Sequence, residues 1–347
     1  MNPYILTILA ISLVLGTLLA TTTSHWIMVW VGLEINTFTI LPLMTQKYSP
    51  RAIEAAVKYF IIQTAATMII LFATILNAWM AGDWSIKQMN YPPSLMMVTM
   101  SLVLKMGLAP LHAWFPEVMQ GLTLELGLIL STWQKLAPFS ILLQLTIYNS
   151  TLITSLGLLS ILMGGWGGLN QTQIRKILSY SSIANLGWML LISQYLPSMA
   201  FMTFLIYSIL TFSMFIMLWL NQSTTINTLS TSWFKTPALL FMVPLILLSL
   251  GGLPPLTGFI PKWMILFELT KQNLTFFATT AALANLMSLF FYLRMSYAMA
   301  LTSSPNFIPM TLSWRIKTLS FTAPLGISTG ISLYTLPMTP AIMIMIP

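Results

Sequence analysis

Apolar residues in this chain come in long runs separated by short polar connectors. Many runs are roughly 20 residues long, the length that an α-helix needs to cross about 30 Å of hydrocarbon. The period-two alternation that would indicate a membrane β-barrel is not found. Because every backbone N–H and C=O must be hydrogen-bonded inside the lipid, these runs are predicted to be helices. The pattern therefore predicts an all-α polytopic membrane protein.

Hydropathy and helix-breaking residues divide the chain into about eleven predicted spans. Their approximate limits are residues 3–20, 25–45, 55–80, 95–116, 122–146, 150–169, 174–196, 199–220, 237–269, 274–300 and 322–345. The connectors are short apart from 301–321, so the whole chain, 1–347, is expected to be a single transmembrane domain. The apolar N-terminal run is expected to be the first span rather than a cleaved signal peptide, because no basic segment precedes it.

Composition removes several other classes of function. The chain is 57% hydrophobic and 6% charged, whereas soluble domains carry about 25% charged residues. Its 14 Lys and Arg residues are scattered over 347 positions, so a basic surface for nucleic acid is not expected. The chain contains no cysteine and only 2 histidines, which excludes thiolate metal sites and iron–sulfur ligation and argues against a haem or zinc centre.

The positions of the basic residues predict the orientation in the membrane. One set of connectors holds Lys47, Arg51, Lys58, Arg175, Lys176, Lys235, Arg315 and Lys317. The opposite connectors hold Lys87 and Lys271. By the positive-inside rule, the N-terminus is expected on the cytoplasmic side or its equivalent, the mitochondrial matrix.

An internal repeat relates two proline-containing segments. Residues 107–117 align without gaps to residues 252–262, an offset of 145 with five identical positions. Five predicted helices separate the two copies, and an odd number inserts them with opposite polarity. Inverted repeats with matching broken helices are typical of transporters. The predicted limits are 1–148 for a first five-helix repeat, 149–300 for a second, and 301–347 for a connector and terminal helix.

Three lysines lie close to the predicted helix breaks. Proline has no N–H and frees the carbonyl four residues before it. Pro110 is thus predicted to free the carbonyl of Met106 beside Lys105, and Pro138 that of Gln134 beside Lys135. Pro254 and Pro255 are predicted to free those of Leu250 and Gly251, ahead of Lys262. Burial disfavours a charged ammonium, so a lysine beside a free carbonyl and water is suited to taking up and releasing protons. The alternative is that these lysines are structural, ion-paired or reach the membrane interface.

Glu34 lies about ten residues inside the second predicted span. A buried carboxylate needs a partner, and no basic residue stands three or four positions away. Lys105 is the partner that we expect, and a charged pair inside a membrane is a functional hypothesis by default. A purely structural ion pair is the alternative.

Other polar positions are weaker candidates. Glu54 and Lys58 are spaced for a helix-start ion pair. Glu117, at the end of the first broken segment, is a proton exit group or a helix cap. Arg294 is expected to anchor the chain at the membrane interface.

Several of these segments resemble one known family. The matching blocks are residues 25–36, 105–110, 114–118, 133–138, 167–176 and 251–259. They include the sequences KMGLAP, WFPEV, WQKLAP and GGLPPLTGF. They resemble the antiporter-like membrane subunits of respiratory complex I, NADH-ubiquinone oxidoreductase, and they extend over nearly the whole chain.

The resemblance implies a fold of two inverted five-helix repeats plus a terminal helix, in the mitochondrial inner membrane. It places Glu34 and Lys105 in a first half-channel, Lys135 as the connecting lysine, and Lys262 in a second half-channel. NADH, FMN, iron–sulfur clusters and ubiquinone are then expected on other subunits, with none bound by this chain. The implied partners are neighbouring membrane subunits of complex I, including other antiporter-like ones, and lipids. Asn185 stands where the family usually has histidine, and an amide does not titrate.

The resulting hypothesis is a subunit that moves protons through buried lysines, driven by electron transfer elsewhere in the complex. Two other functions fit the same residues. One is an Mrp-type cation/proton antiporter subunit, which would use the same lysines and broken helices. The other is a membrane scaffold whose buried charges are structural.

Overall fold

The computed structural model describes residues 3–46, 48–89, 91–145, 150–230, 237–301 and 322–334. These residues form fifteen α-helices and one short 3-10 helix, with two isolated β-bridges as the extended pairing among them. The predicted all-α class is therefore confirmed. The chain divides into two compact units, Met1–Leu156 and Gly157–Pro347.

The first unit begins with long helices and continues with shorter ones. Its elements are α1 (Pro3–Thr22), α2 (Trp26–Met44), α3 (Pro50–Ala81), a 3-10 helix (Ile86–Gln88), α4 (Pro92–Met106), α5 (Trp114–Gly121), α6 (Leu124–Ser131) and α7 (Trp133–Gln144). Pro50 and Pro92 occupy the first turns of α3 and α4, where the missing N–H costs no hydrogen bond. Ser49 caps α3 by accepting a hydrogen bond from the N–H of Ala52 at 3.3 Å.

The second unit repeats this succession of long and broken helices. Its elements are α8 (Ser150–Gly168, most of which lies in this unit), α9 (Ile174–Ser193), α10 (Pro197–Asn221), α11 (Ile226–Ser230), α12 (Pro237–Gly251), α13 (Phe259–Lys271), α14 (Thr275–Leu301) and α15 (Thr322–Tyr334).

Three of the predicted spans are pairs of helices in the structure. Residues 95–116 contain most of α4 and the start of α5, residues 122–146 contain α6 and α7, and residues 237–269 contain α12 and most of α13. Seven stretches of the described chain are long and apolar enough to cross a membrane. They are Pro3–Thr22, Trp26–Met44, Pro50–Ala81, Leu124–Gln144, Thr151–Gly168, Pro197–Asn221 and Thr275–Leu301. The count of eleven spans and the limits of the repeats stay predictions.

In the first unit, the loop before α2 pairs with the loop before the 3-10 helix. The N–H of Trp26 donates to the carbonyl of Trp84 at 3.1 Å, and the N–H of Ile86 donates to Ser24 at 3.0 Å. These two bonds make an antiparallel bridge that satisfies backbone groups at the start of α2.

The second unit has the same bridge at the start of α9. The N–H of Ile174 donates to the carbonyl of Thr224 at 3.2 Å, and the N–H of Ile226 donates to Thr172 at 3.2 Å. The internal repeat found in the sequence thus extends to loops whose residues differ between the two copies.

The structure gives the partners of two of the weaker candidates. Lys58 pairs with Glu54 at 2.7 Å, as its spacing predicts, and also with Glu117 at 2.7 Å. Arg294 was expected at the membrane interface, and this stays a prediction. Its guanidinium is part-buried and donates to the carbonyls of Leu169 and Gln171, just beyond the end of α8.

The basic residues behind the predicted orientation are only partly described. Lys47, Lys235, Arg315 and Lys317 lie outside the described residues. The part of the predicted last span beyond Tyr334 also lies outside them. The orientation of the N-terminus therefore stays a prediction.

Candidate functional site: two lysine-lined cavities

The first helix break follows Lys105. Helix α4 ends at Gly107, whose φ of 73° is the left-handed conformation that glycine adopts without strain. Two side chains then take carbonyls in the last turn of α4. The indole N–H of Trp114 donates to Leu104 at 3.2 Å, and the amide of Gln63 donates to Lys105 at 3.3 Å.

Lys105 and Lys135 line one small cavity inside the first unit. Lys105 comes from α4 and Lys135 from α7, and both are buried, with 7% and 2% of their surface exposed. About 20 Å³ of the cavity is open to the centre of a water molecule, and one bound water needs roughly 10–15 Å³. Asn36 and Gln134 add amide groups to the lining. Lys105 and Lys135 were predicted to act one after the other in proton transfer. The structure shows that both line a single cavity large enough for a water molecule.

Lys135 lies over an aromatic face. Its ammonium is 4.2 Å from the centre of the Phe115 ring, a distance at which the ring attracts a cation. The helix around Lys135 is broken earlier than Pro138 suggested, because Pro138 lies inside α7 and the interruption is at Thr132. The ring of a proline clashes with the carbonyl four residues before it. For Pro138 this is the carbonyl of Gln134, which lies in the first turn of α7, so the interruption falls at the start of this helix.

Glu34 is buried, but it does not form the ion pair that was predicted. The hydroxyl of Thr67, from α3, donates a hydrogen bond to the carboxylate of Glu34. The hydroxyl of Thr37, which donates to the Glu34 carbonyl at 2.8 Å, also lies 3.2 Å from the carboxylate. The ion pairs of the described residues do not include Glu34 with Lys105. The predicted direct ion pair of Glu34 with Lys105 is therefore wrong, because threonine hydroxyls contact the carboxylate instead. Glu34 is still near enough to attract Lys105 electrostatically.

The second helix break is closed by Lys262 itself. An ammonium has three N–H donors, and three acceptors surround this one. They are the carbonyls of Leu250 at 3.2 Å and Gly251 at 2.9 Å and the side-chain oxygen of Asn285 at 2.8 Å. Leu250 and Gly251 are the residues whose carbonyls Pro254 and Pro255 were predicted to free. Water was expected at these carbonyls, but the lysine occupies them.

Gly252 makes this arrangement possible. Its φ is 83°, and a Cβ atom there would lie 2.9 Å from the Cδ of Lys262 and 3.2 Å from its Nζ. Any other residue would push the lysine away from the end of α12. The second unit contains one acidic residue in sequence, Glu268, and it pairs with Lys271 at 3.4 Å. Backbone and amide dipoles therefore hold the Lys262 charge.

A second cavity, with about 30 Å³ open to the centre of a water molecule, borders Lys262. Asn185 and Tyr207 are among its lining residues. The hydroxyl of Tyr292 is within hydrogen-bonding reach of Asn185 and Ser181. The residue that departs from the family pattern, Asn185, thus lies beside Lys262 in a neutral polar network.

Sequence reasoning missed three residues of these sites: Gln63, Thr67 and Asn285. Each is a neutral polar residue inside a long apolar helix, at a position where it contacts a buried charged residue or its backbone. Their polarity inside an apolar run was the available signal, but many serines and threonines in these helices share it.

Family comparisons cover most of the chain. Residues 23–288 match the family model described as NADH:quinone oxidoreductase/Mrp antiporter, transmembrane. Residues 289–343 match the model for the NADH dehydrogenase subunit 2 C-terminus. Together the two models match residues 23–343.

Individual relatives agree. The chain is 57% identical over 343 residues to NADH-ubiquinone oxidoreductase chain 2 of Salmo salar, covering 99% of this chain and 98% of that protein. It is 58% identical over 342 residues to the protein of the same name from Gadus morhua, with 98% of each chain covered.

Solved structures share the fold. A chain of respiratory complex I from Thermus thermophilus with bound aureothin superimposes with a TM-score of 0.81 at 26% identity, over 94% of this chain and 76% of that one. A chain of the Mrp complex from Dietzia sp. DQ12-45-1b gives a TM-score of 0.80 at 15% identity, over 96% and 75%; that likeness shows the fold alone. The resemblance seen in the sequence motifs is therefore confirmed, and this chain belongs to the NADH-ubiquinone oxidoreductase chain 2 family of antiporter-like membrane proteins.

Proposed function

We propose that the chain is a proton-translocating membrane subunit of NADH:ubiquinone oxidoreductase. The observation that carries the proposal is the meeting of Lys105 and Lys135, from different helices, at one buried cavity with room for water. Two amines at a shared water site form a pair between which a proton can pass. The relatives named above support the assignment to this enzyme rather than to an Mrp antiporter.

Electrostatics sets the direction of transfer in the first unit. Glu34 attracts the charged form of Lys105, while a charge on one lysine opposes a charge on the other. Two ammonium groups about 10 Å apart at an effective dielectric constant of about 20 repel by roughly 1.7 kcal/mol, which changes a proton equilibrium more than tenfold. A weakened attraction from Glu34 therefore moves the proton from Lys105 towards Lys135.

Lys262 is the buried amine of the second unit that we assign to proton transfer. It borders its own water-sized cavity, and its charge is held by neutral acceptors. A charge held only by dipoles has no fixed anion to neutralise it, so its proton can be displaced by a modest change in the surroundings. We propose that Lys262 takes up and releases a proton in each cycle, as Lys105 and Lys135 do.

The redox chemistry belongs to other subunits in this proposal. NADH, FMN, the iron–sulfur clusters and ubiquinone are bound there, and the energy reaches this chain through neighbouring membrane subunits. The location is the mitochondrial inner membrane, with the N-terminus on the matrix side. Protease accessibility of an N-terminal epitope in mitoplasts and in inverted vesicles tests that orientation, because matrix exposure protects the epitope in mitoplasts alone.

The test of function is a charge-removing substitution in the assembled enzyme. Lys105→Met in the complex reconstituted into liposomes is expected to lower the number of protons moved per NADH oxidised. Lys271→Met is the matched control, because Lys271 is 55% exposed and pairs with Glu268 in its own helix.

Unchanged pumping per electron in assembled Lys105→Met enzyme would exclude the proposal. A scaffold role predicts a different result: less assembled complex, with normal turnover and proton stoichiometry in what assembles. Recovery of the chain in a cation/proton-exchanging assembly that lacks flavin would instead support the antiporter alternative.

A further inference from the structure

Asn285 is the acceptor of Lys262 that comes from another helix of the second unit. Its side-chain oxygen lies 2.8 Å from the lysine nitrogen, the shortest of the three contacts. The hydroxyl of Ser288, one turn further along α14, also approaches that oxygen at 3.2 Å. The two backbone acceptors are supplied by the end of α12. Asn285 is therefore the one acceptor at this site that a substitution can remove without changing the backbone.

All three N–H groups of the ammonium are engaged in this geometry. A fully hydrogen-bonded ammonium has no N–H left to donate to water or to a group in the cavity it borders. A proton can leave only after one of the three acceptors is released. The strength of the three contacts therefore sets how readily Lys262 gives up its proton.

Among the described residues that line the cavity, Lys262 is the one with a charged side chain. From α10, Tyr207 lines the same cavity, and from α14, Tyr292 contacts Asn185 of α9. Helix α12 offers carbonyls. On α13 itself, Glu268 pairs with Lys271 and is not among the residues that line the cavity. Neutral groups therefore dominate the surroundings, so a change in one acceptor has a visible effect.

We propose that Asn285 is a positioning residue for Lys262. Together with the carbonyls of Leu250 and Gly251 it forms a three-acceptor seat that holds the ammonium charged until proton transfer begins. This proposal rests on the proposed function, in which Lys262 changes protonation during turnover. It assigns to Asn285 the control of that step.

Two substitutions of Asn285 with opposite expected effects on the protonation of Lys262 test the three-acceptor seat. Asn285→Leu removes an acceptor and leaves the ammonium less stable, so Lys262 should lose its proton at lower pH. Asn285→Asp places an anion at the same distance and should hold the proton to higher pH. The acid limb of the pH profile of coupled turnover should move down by about one pH unit for Leu and up by about one for Asp, since one hydrogen bond to a charged group has about this strength.

The measurement uses the assembled complex in liposomes, with NADH oxidation and proton uptake recorded from pH 6 to 9, roughly the range over which a perturbed lysine titrates. Ser296→Ala on the same helix is the control, because its hydroxyl donates to its own helix at Leu293. A structural role for Asn285 predicts loss of assembled complex in both variants with no opposite shifts. Shifts in the same direction, or no shift in assembled enzyme, overturn the proposal.

Two results distinguish a failure of the Asn285 proposal from a failure of the proposed proton transfer by Lys262. If Lys262→Met pumps normally, the proposed function of Lys262 fails. If Lys262→Met abolishes pumping while the Asn285 variants leave the pH profile unchanged, only the seat fails. Should Asn285→Leu not assemble, the isosteric Asn285→Asp decides alone: an upward shift supports the seat, and an unshifted profile overturns it.

Discussion

The indole N–H of Trp114 donates to the carbonyl of Leu104 at 3.2 Å and so closes the end of α4. The lysine beside that break, Lys105, is left to line the cavity. In the aligned break of the second unit, Phe259 stands in place of the tryptophan and has no donor. There the end of the helix is closed by Lys262. The two lysines are not equivalent in the repeat, since Lys105 precedes its break and Lys262 follows the other.

Trp114→Phe is expected to leave the carbonyl of Leu104 with its backbone donor alone, the N–H of Gly107 at 3.0 Å. The carbonyl of Leu104 loses its side-chain donor, and the ammonium of Lys105 is expected to move towards the end of α4. A hydrogen bond to a charged group of about 1.5 kcal/mol would slow proton release from Lys105 roughly tenfold. The structure of the variant complex and its proton stoichiometry check both parts. Trp79→Phe is the control, because Trp79 is 84% exposed; an unmoved Lys105 with normal pumping contradicts this account.

Whether a feature could be predicted from the sequence depends on how far apart in the chain the interacting residues lie. The breaks after Lys105 and before Lys262 were predicted because the effect of proline on its own helix is local. The partner of Glu34 was predicted on charge alone and was wrong, because the hydroxyl of Thr67 reaches it from a helix 33 residues away. A neutral hydroxyl in an apolar run carries no sign of which charge it will meet. Only the packing of the helices decides that.

The contact of Thr67 with Glu34 gives a second prediction. Thr67→Val keeps the shape of the side chain and removes the hydroxyl, which costs the carboxylate a hydrogen bond of about 1.5–3 kcal/mol. The carboxylate is then held less firmly near Lys105 and attracts it less, so coupled turnover should fall roughly tenfold or more. Turnover and proton uptake in liposomes measure this effect.

The control for this prediction lies two turns along the same helix. Thr74 is also buried, and its hydroxyl donates at 2.8 Å to the carbonyl of Leu71. Thr74→Val therefore shares the change in helix packing without touching a carboxylate. Equal losses in the two variants would assign the effect to packing and not to Glu34.

Gly258, at the far end of the second break, gives a prediction about stability. A Cβ atom there would lie 1.7 Å from the carbonyl oxygen of Ser249, a clash that the backbone itself would have to relieve. Gly258→Ala is expected to destabilise the subunit by more than about 3 kcal/mol and to lower the amount of assembled complex sharply. Gly326→Ala, in α15, is the control, because its Cβ would meet nothing within 4 Å and alanine favours a helix by roughly 0.5–1 kcal/mol. Equal levels of assembled complex for the two variants would contradict the prediction.

The ring of Phe115 under the ammonium of Lys135 gives the last prediction. The 4.2 Å contact stabilises the charged lysine, by about 2 kcal/mol when the pair is removed from water. Phe115→Leu keeps an apolar side chain but removes the ring, so Lys135 should hold a proton less firmly, and the acid limb of the pH profile of coupled turnover should move about one unit lower. Phe215→Leu removes a buried ring of the second unit, only 2% exposed, and reproduces the loss of packing without a cation. A downward shift in Phe115→Leu alone assigns the effect to the ring and the charge, because lost packing lowers the amount of folded protein but does not change the pH at which a lysine gives up its proton.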